Sequence, residues 1–236
     1  LLCPYLYLGY PIITNLSSLI FFGFGIVAAI SGLLGSIMSK IMLGLFQWKS
    51  RFKFRYQHIL YVVVCALIIV IIAYFFDNRI LGSGKDLMAH TLFTSDKYSS
   101  WYVPGLRIAG PILSFTTVAA GGVFAPSLSA GATIGSAFSG WMHLSEANSN
   151  LLILAGMVGF LTGVTRTPFT SAILVLEMTD RHNVIFHLMV AGMVASIVSY
   201  PVDRHSFYDH LKYQYLRDVT HEEIKEEAPQ VEDEQT

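Results

Sequence analysis

The stretch Gly121-Gly122-Val123-Phe124-Ala125-Pro126-Ser127 lies within an uncharged run that extends from Ile108 to Met142. Glycines and prolines interrupt this run too often for one straight helix. Glycine lets the backbone turn freely, and proline is favoured in the first turn of a helix. The stretch therefore predicts two helices that are broken at Gly121 and Gly122, the second of which begins between Gly122 and Pro126.

The start of this second helix has the chemistry of an anion site. First-turn N–H groups lack partners within the helix, and the macrodipole places roughly half a positive charge there. In hydrocarbon such an end is costly unless something negative occupies it, and backbone donors can bind a small anion without lysine or arginine. The alternative is a kink that merely lets two helices pack through the small residues Ser127, Ser129, Gly131 and Gly135. The residues alone leave both interpretations open.

The composition indicates a membrane protein. Of the 236 residues, 53% are hydrophobic and 13% are charged, and the mean hydropathy is +0.55. No charge occurs from Leu1 to Met38 or from Ile59 to Phe76, so these segments can cross about 30 Å of hydrocarbon. The net charge of −1 gives no reason to expect a nucleic-acid partner. Cys3 and Cys65 have no metal or redox spacing and are expected to be small buried hydrophobic residues.

The first half of the chain predicts two spanning helices. Asn15 or Ser17 can cap a helix that runs to about Phe46. The connector Gln47 to His58 is rich in Lys and Arg, which predicts a cytoplasmic loop. A second helix follows at about Ile59 to Phe76, and the polar stretch from Asp77 to Ser100 is expected to be an outer connection with one short helix.

The second half predicts shorter apolar helices. The runs Leu151–Thr165 and Thr167–Met178 fall below the roughly 20 residues of a straight span and predict paired half-length helices. The segment Asn183–Tyr200 could cross completely, with Pro201 ending it. Residues 203–217 predict a last, amphipathic helix, in which Ser206 and Asp209 have the spacing of a capping box. We divide the chain into a membrane part, 1–218, and an acidic cytoplasmic tail, 219–236.

Three groups of residues resemble the CLC family of chloride channels and chloride/proton antiporters. The pattern Gly-x-Phe-x-Pro at Gly122, Phe124 and Pro126 looks like the family's third signature. The segments Gly163–Pro168 and Ala172–Asp180 are similar to its penultimate, dimer-forming helices. The resemblance extends from about Asn15 to Leu216 and implies the C-terminal half of an all-α, polytopic membrane fold with full-length and half-length broken helices. It also implies a homodimer through the helices at about 167–200.

Carried over residue by residue, the resemblance assigns a chloride site. The backbone N–H groups of Val123 and Phe124 and the hydroxyl of Tyr208 are expected to bind the anion. Gly121, Gly122, Ala125 and Pro126 are expected to shape the site. The alternative for Tyr208 is an interfacial tyrosine, whereas Tyr213 and Tyr215 are interpreted as packing or interface residues.

Two further polar residues lie in apolar surroundings. Glu177 is expected to be structural, near a helix end and capping it or pairing with Arg166 or Arg181, although a membrane carboxylate is by default a functional candidate. His187 is expected to be a hydrogen-bonded packing residue rather than a proton carrier.

The resemblance implies chloride transport, with chloride as substrate and no cofactor or resident metal. Chloride/proton antiport is the first hypothesis and a passive channel the second, because the family's gating and proton-path glutamates lie in signatures that this sequence does not contain. An intramembrane enzyme is disfavoured because neither His-Glu-x-x-His nor Gly-x-Ser-x-Gly occurs, and a non-transporting scaffold stays as a third class. Without a regulatory nucleotide-binding module, a bacterial inner membrane is the expected location.

Overall fold

A computed structural model describes residues 18–52, 54–94, 97–117, 122–179, 184–213 and 216. Within these ranges the chain is helical and contains no strand. The helices are α1 (Ser18–Lys49), α2 (Arg55–Phe75), α3 (Lys85–Phe93), α4 (Tyr102–Thr116), α5 (Phe124–Trp141), α6 (Glu146–Thr165), α7 (Pro168–Thr179) and α8 (Ile185–Ser199). A short 3₁₀ helix spans Asn78–Ile80, and residues 207–213 form a helix that we call α9. The predicted all-α class with long and short apolar helices is confirmed.

Helix α6 is the centre of the fold, packed between α1 and α5. Nearly all of its residues are buried, as expected for a helix that is apolar on every side. Glycines make the close contacts possible: a Cβ at Gly131 would overlap the carbonyl of Gly156, and one at Gly35 would overlap the carbonyl of Phe160. Small residues thus let the backbones approach at both crossings, and the start of α5 is fixed relative to α6.

The prediction of two half-length helices is wrong for the first of them. Helix α6 has 20 residues and begins at Glu146 rather than Leu151, so it is long and apolar enough to span a membrane, as α1 and α2 are. The apolar run in the sequence begins only at Leu151, because the first residues of the helix, 146–150, include polar ones. Asn150, for example, is buried and accepts a hydrogen bond of 2.9 Å from Lys97 Nζ. Helix α7, with 12 residues, is short as predicted.

Two other predicted boundaries also differ from the structure. The segment Asn183–Tyr200 does not form a complete crossing, because α8 has 15 residues and starts at Ile185. The connector predicted at Gln47–His58 is shorter, because α1 continues to Lys49 and α2 begins at Arg55. Lys49 is buried and donates a hydrogen bond of 3.0 Å to the Thr116 carbonyl at the end of α4. This contact allows a charged residue to extend the helix.

Helices α2, α3 and α4 lie approximately where the sequence predicts them. Helix α2 is apolar but mostly exposed, with Cys65 as its buried residue, which suits a face against lipid. The buried state predicted for Cys65 is confirmed, whereas Cys3 lies outside the described residues. The polar stretch from Asp77 to Ser100 holds α3 and the 3₁₀ helix. Helix α4 begins at Tyr102, before the uncharged run, because buried Arg107 donates a hydrogen bond of 3.0 Å to the Gly82 carbonyl.

Candidate anion site

The predicted break in the uncharged run is present, and α5 begins beyond it. Helix α4 ends at Thr116 and α5 starts at Phe124, with Val123 as its N-cap. The first bond of the helix runs from the Ser127 N–H to the Val123 carbonyl at 3.1 Å. Pro126 lies in the first turn, where its missing N–H removes one of the donors that would otherwise need a partner.

The first amides of α5 have no hydrogen-bond acceptor among the residues that the structure describes. No side chain caps the helix, and within the described ranges no hydrogen bond joins the N–H of Val123, Phe124 or Ala125 to a protein atom. A second donor lies in the same turn, because the hydroxyl of fully buried Ser127 has no hydrogen-bond partner there either. The sequence singled out Ser127 only under the alternative interpretation, as part of a small-residue packing interface, and not as a site residue. Its position one turn into an uncapped helix is the signal that could have marked it as a site residue.

The glycines before the helix are less informative than their sequence suggested. Gly122 does not have a positive φ, and a Cβ added to it would meet nothing within 4 Å. The close approach or left-handed backbone that glycine permits is therefore not used at Gly122. Gly121, the other predicted site-shaping glycine, lies outside the described residues.

Tyr208 lies beside the start of α5. Its ring stacks on that of Phe124, with centroids 6.1 Å apart and an interplanar angle of 25°. The neighbouring Phe207 is buried in the same apolar cluster as Val123 and Met38, and it anchors α9 against this region. The structure thus brings together three predicted residues, Val123, Phe124 and Tyr208, from opposite ends of the second half of the chain.

The predicted capping box at the start of α9 is confirmed. The Asp209 N–H donates to the Ser206 hydroxyl at 3.0 Å, and the Ser206 N–H donates to the Asp209 carboxylate at 3.0 Å. Hydrogen bonding to Ser206 also lowers the pKa of the Asp209 carboxyl. This reciprocal pair satisfies backbone donors and fixes where α9 starts, and therefore where Tyr208 lies.

A cavity of about 650 Å³ adjoins the first turn of α5. Its walls come from the first turns of α5 and from α7, and they are mostly apolar: Phe124, Ala125, Leu128, Thr170, Ile173, Leu174, Glu177 and Met178. A slightly larger cavity of about 700 Å³ lies at the other end of α5, near Trp141. Of these two cavities, only the first is lined by residues of the first turn of α5, Phe124 and Ala125, whereas Val123, Ser127 and Tyr208 are not among its walls.

Glu177 lines this cavity, and its side chain is exposed. The predicted pair with Arg166 is wrong, because no ion pair joins the two among the described residues. Arg166 Nη2 donates instead to the Ser199 carbonyl at 2.9 Å. Arg166 ends α6 with a left-handed backbone and links that end to α8. The other proposed partner, Arg181, lies outside the described residues.

The sequence also singled out His187, Tyr213 and Tyr215. His187 packs edge-on against Phe24, but the predicted hydrogen bonding is not seen at its Nδ1, which is buried without a partner in the described part of the chain. Tyr213 is exposed, and Tyr215 lies outside the described residues. No metal site was predicted, yet Asp203, His205 and His210 come together in the turn before and within α9.

Known proteins match this chain in sequence. A family model described as voltage gated chloride channel matches residues 3–200. The H(+)/Cl(-) exchange transporter ClcA of Cronobacter sakazakii is 32% identical over 97 residues, which cover 39% of this chain and 21% of that protein.

Known structures match its fold. A CLC-type fluoride/proton antiporter is similar with a TM-score of 0.70 and 18% identity, over 85% of this chain and 49% of that one. A eukaryotic CLC transporter is similar with a TM-score of 0.65 and 21% identity, over 84% of this chain and 35% of that one. This chain therefore spans about half or less of the length of these relatives. Because the family model covers most of the chain and the fold agrees with it, the chain belongs to the voltage-gated chloride channel family, whose members are channels and transporters and not enzymes.

Proposed function

We propose that this chain forms the C-terminal half of the membrane domain of a chloride/proton antiporter, in which the α5 start and Tyr208 bind chloride. The observation that carries the proposal is the uncapped first turn of α5 beside the ring of Tyr208. The amides of Val123 and Phe124 can donate to an anion, and the Tyr208 hydroxyl can add a side-chain donor. Neutral donors bind chloride weakly enough for it to leave again, which transport requires.

Chloride as substrate and proton coupling rest on the relative in sequence. The name of the Cronobacter sakazakii protein states proton/chloride exchange, and that protein is 32% identical to this chain over 97 residues. The fluoride/proton antiporter is 18% identical and supports the fold alone. A passive chloride channel is the second candidate, since the anion site proposed above would serve either activity.

The proposed membrane arrangement follows from charge and helix direction. Helices α1 and α6 run parallel, because Ala28 lies against Gly159 and Gly32 lies against Gly163. Both therefore end toward the basic loop after α1, which the positive-inside rule assigns to the cytoplasm. Under the same proposal the acidic tail at 219–236 is cytoplasmic, and a bacterial inner membrane is the host.

A homodimer through α7 and α8 is part of the proposal. Both helices carry large exposed apolar side chains, including Phe169, Ile173, Phe186 and Ile197. Such a surface can face lipid or a second copy. The molar mass of the purified full-length protein in detergent, corrected for bound detergent, should correspond to two chains, and a single-chain mass would contradict this part.

The activity is tested by ion flux in vesicles that contain the full-length protein. An imposed chloride gradient should drive protons against their own gradient if the protein is an antiporter. Chloride flux without proton movement would identify the channel instead. If no chloride flux is measured, both the antiporter and the channel proposal are wrong.

The anion site is tested separately by crystals grown in bromide. We expect an anomalous peak within hydrogen-bond distance of the Val123 and Phe124 amides and of the Tyr208 hydroxyl. If the peak is absent and these amides bond to protein carbonyls in the full-length protein, the site is a structural helix start, as the scaffold hypothesis requires.

A further inference from the structure

The turn between α8 and α9 gathers a carboxylate and two imidazoles that the anion site does not use. We call Asp203, His205 and His210 the Asp-His-His cluster. One potential ligand atom from each residue lies within 4.8 Å of the others. The closest measured pair is His210 Nε2 and an Asp203 carboxylate oxygen, which are 3.0 Å apart. The His205 and His210 rings lie edge to face, with centroids 5.6 Å apart.

These distances suit a small tetrahedral metal ion. Zinc binds imidazole nitrogen and carboxylate oxygen at about 2.0–2.2 Å, which places two ligand atoms about 3.3 Å apart across the tetrahedral angle. The Asp203–His210 pair is already near that spacing. His205 is exposed and Asp203 and His210 are half-buried, so rotation of the His205 side chain can bring the third ligand atom closer, and an ion can enter from water.

The local backbone holds the carboxylate in place. The His205 N–H donates to Asp203 Oδ1 at 3.0 Å, which leaves Oδ2 directed at His210. The carboxylate oxygen nearest His210 is therefore positioned by the backbone of the turn before any ion binds.

Both acidic and basic residues lie near the Asp-His-His cluster. Asp209 carries a negative charge near both histidines. Of the two nearby arginines, Arg204 lies over the Tyr200 ring, 5.4 Å from its centroid, and Arg166 is held by the Ser199 carbonyl. Their positive charges oppose a cation and limit its affinity, but neither guanidinium lies within ion-pair distance of Asp203 in the described part of the chain.

We propose that Asp203, His205 and His210 form a binding site for one divalent transition-metal ion of the zinc type, with water as a fourth ligand. Asp203 and His205 lie in the turn after α8, whereas His210 belongs to α9, so the ion ties this turn to α9. It thereby fixes α9, the helix that carries Tyr208. Binding of the metal does not depend on the proposed transport function.

The site is tested by titrating zinc into full-length protein that carries no polyhistidine tag. Calorimetry should show one Zn²⁺ per chain. His205→Ala and His210→Ala should each weaken binding about 10-fold or more, by analogy with the 10- to 100-fold losses seen when weaker second-shell partners are removed. His90→Ala, which removes an exposed histidine on α3, should leave the affinity unchanged.

Two further measurements keep the test decisive if a variant is poorly folded. Cobalt(II) should give the intense visible absorption of a four-coordinate site in the parent protein and not in Asp203→Asn, which keeps the shape of the side chain. Zinc should raise the melting temperature of the parent but not of the double variant His205→Ala/His210→Ala. If the double variant binds zinc as tightly as the parent, or if the parent binds none, the cluster is an ordinary ion pair and the proposal is wrong.

Discussion

The starts of α5 and α9 lie next to each other, yet their backbone donors have different partners. At α9, Ser206 and Asp209 exchange two hydrogen bonds of 3.0 Å, so the chain caps itself. At α5, the corresponding residues are Val123 and Pro126, and no side chain caps the helix. Neither the valine nor the proline side chain contains a hydrogen-bond acceptor. The first-turn N–H groups of α5 are therefore available to an acceptor from outside this helix.

This difference separates two tasks within the candidate site. The self-capped helix fixes a position, because its cap and the buried Phe207 determine where Tyr208 stands. The uncapped helix supplies donors, because its amides are preorganised by the packing of α5 on α6 and have no competing acceptor within the described chain. The following four variants test this division, in order of decreasing expected effect.

Val123→Asp should make α5 resemble α9. A carboxylate at the N-cap would accept the first-turn N–H groups and place a negative charge next to the proposed chloride. With charges about 4 Å apart at an effective dielectric of 20, the repulsion is about 4 kcal/mol, so chloride binding measured by calorimetry should fall below detection. Val123→Asn, a neutral cap, should weaken binding less. Equal affinities for Val123→Asp and the parent protein would show that the anion does not bind at these amides.

Gly131→Val should disturb the scaffold that presents the α5 start. A side chain there would overlap the carbonyl of Gly156 on α6, and overpacking of this kind costs about 3 kcal/mol of stability. The midpoint of thermal unfolding in detergent should fall. Gly44→Ala on α1 is the matched control, because a Cβ at that position meets nothing within 4 Å. An unchanged midpoint for Gly131→Val would mean that α5 and α6 can separate without loss.

Tyr208→Phe should remove one donor while keeping the ring that stacks on Phe124. A hydrogen bond to a charged group contributes about 1.5–3 kcal/mol, so chloride affinity should fall about tenfold or more with no change in stability. Tyr213→Phe, at an exposed position on the same helix, should have no effect. Identical calorimetric titrations for the two variants would indicate that Tyr208 packs without binding the anion.

Ser206→Ala should affect stability more than chloride binding. It removes the acceptor for the Asp209 N–H, and loss of an N-cap of this type costs about 1 kcal/mol. Denaturation should shift by this small amount, whereas Ser114→Ala at an exposed site on α4 should not shift it. A large loss of chloride affinity with no loss of stability would mean that Ser206 belongs to the anion site itself.

Several features of the site were predictable because they depend on residues close together in sequence. The break before α5 was predicted from its glycines and Pro126, although Gly122 does not use the freedom of glycine. The cap of α9 follows from a serine and an aspartate three residues apart. The family resemblance added Tyr208, which no local pattern could have joined to Phe124. Ser127 was missed because an unpaired buried hydroxyl is recognised only when its surroundings are known.

The errors have a common origin in contacts between distant residues. Helix α6 is longer than its apolar run because Lys97 Nζ donates a hydrogen bond to the Asn150 side chain. Helix α1 extends to Lys49 because the Thr116 carbonyl accepts a hydrogen bond from the Lys49 ammonium group. Arg166 was predicted to pair with Glu177, but it donates to the Ser199 carbonyl. In each case the hydrogen-bond partner of a polar or charged group comes from a distant part of the sequence.

The sequence by itself determined the membrane environment, the all-α class, the start of α5 and the self-capped start of α9, because composition and patterns within one helical turn set them. The tertiary structure decided that Tyr208 lies on Phe124, that Glu177 faces a cavity and that Asp203, His205 and His210 form one cluster. These depend on how helices pack, and helix packing is governed by the close backbone contacts of α6 with α1 and α5.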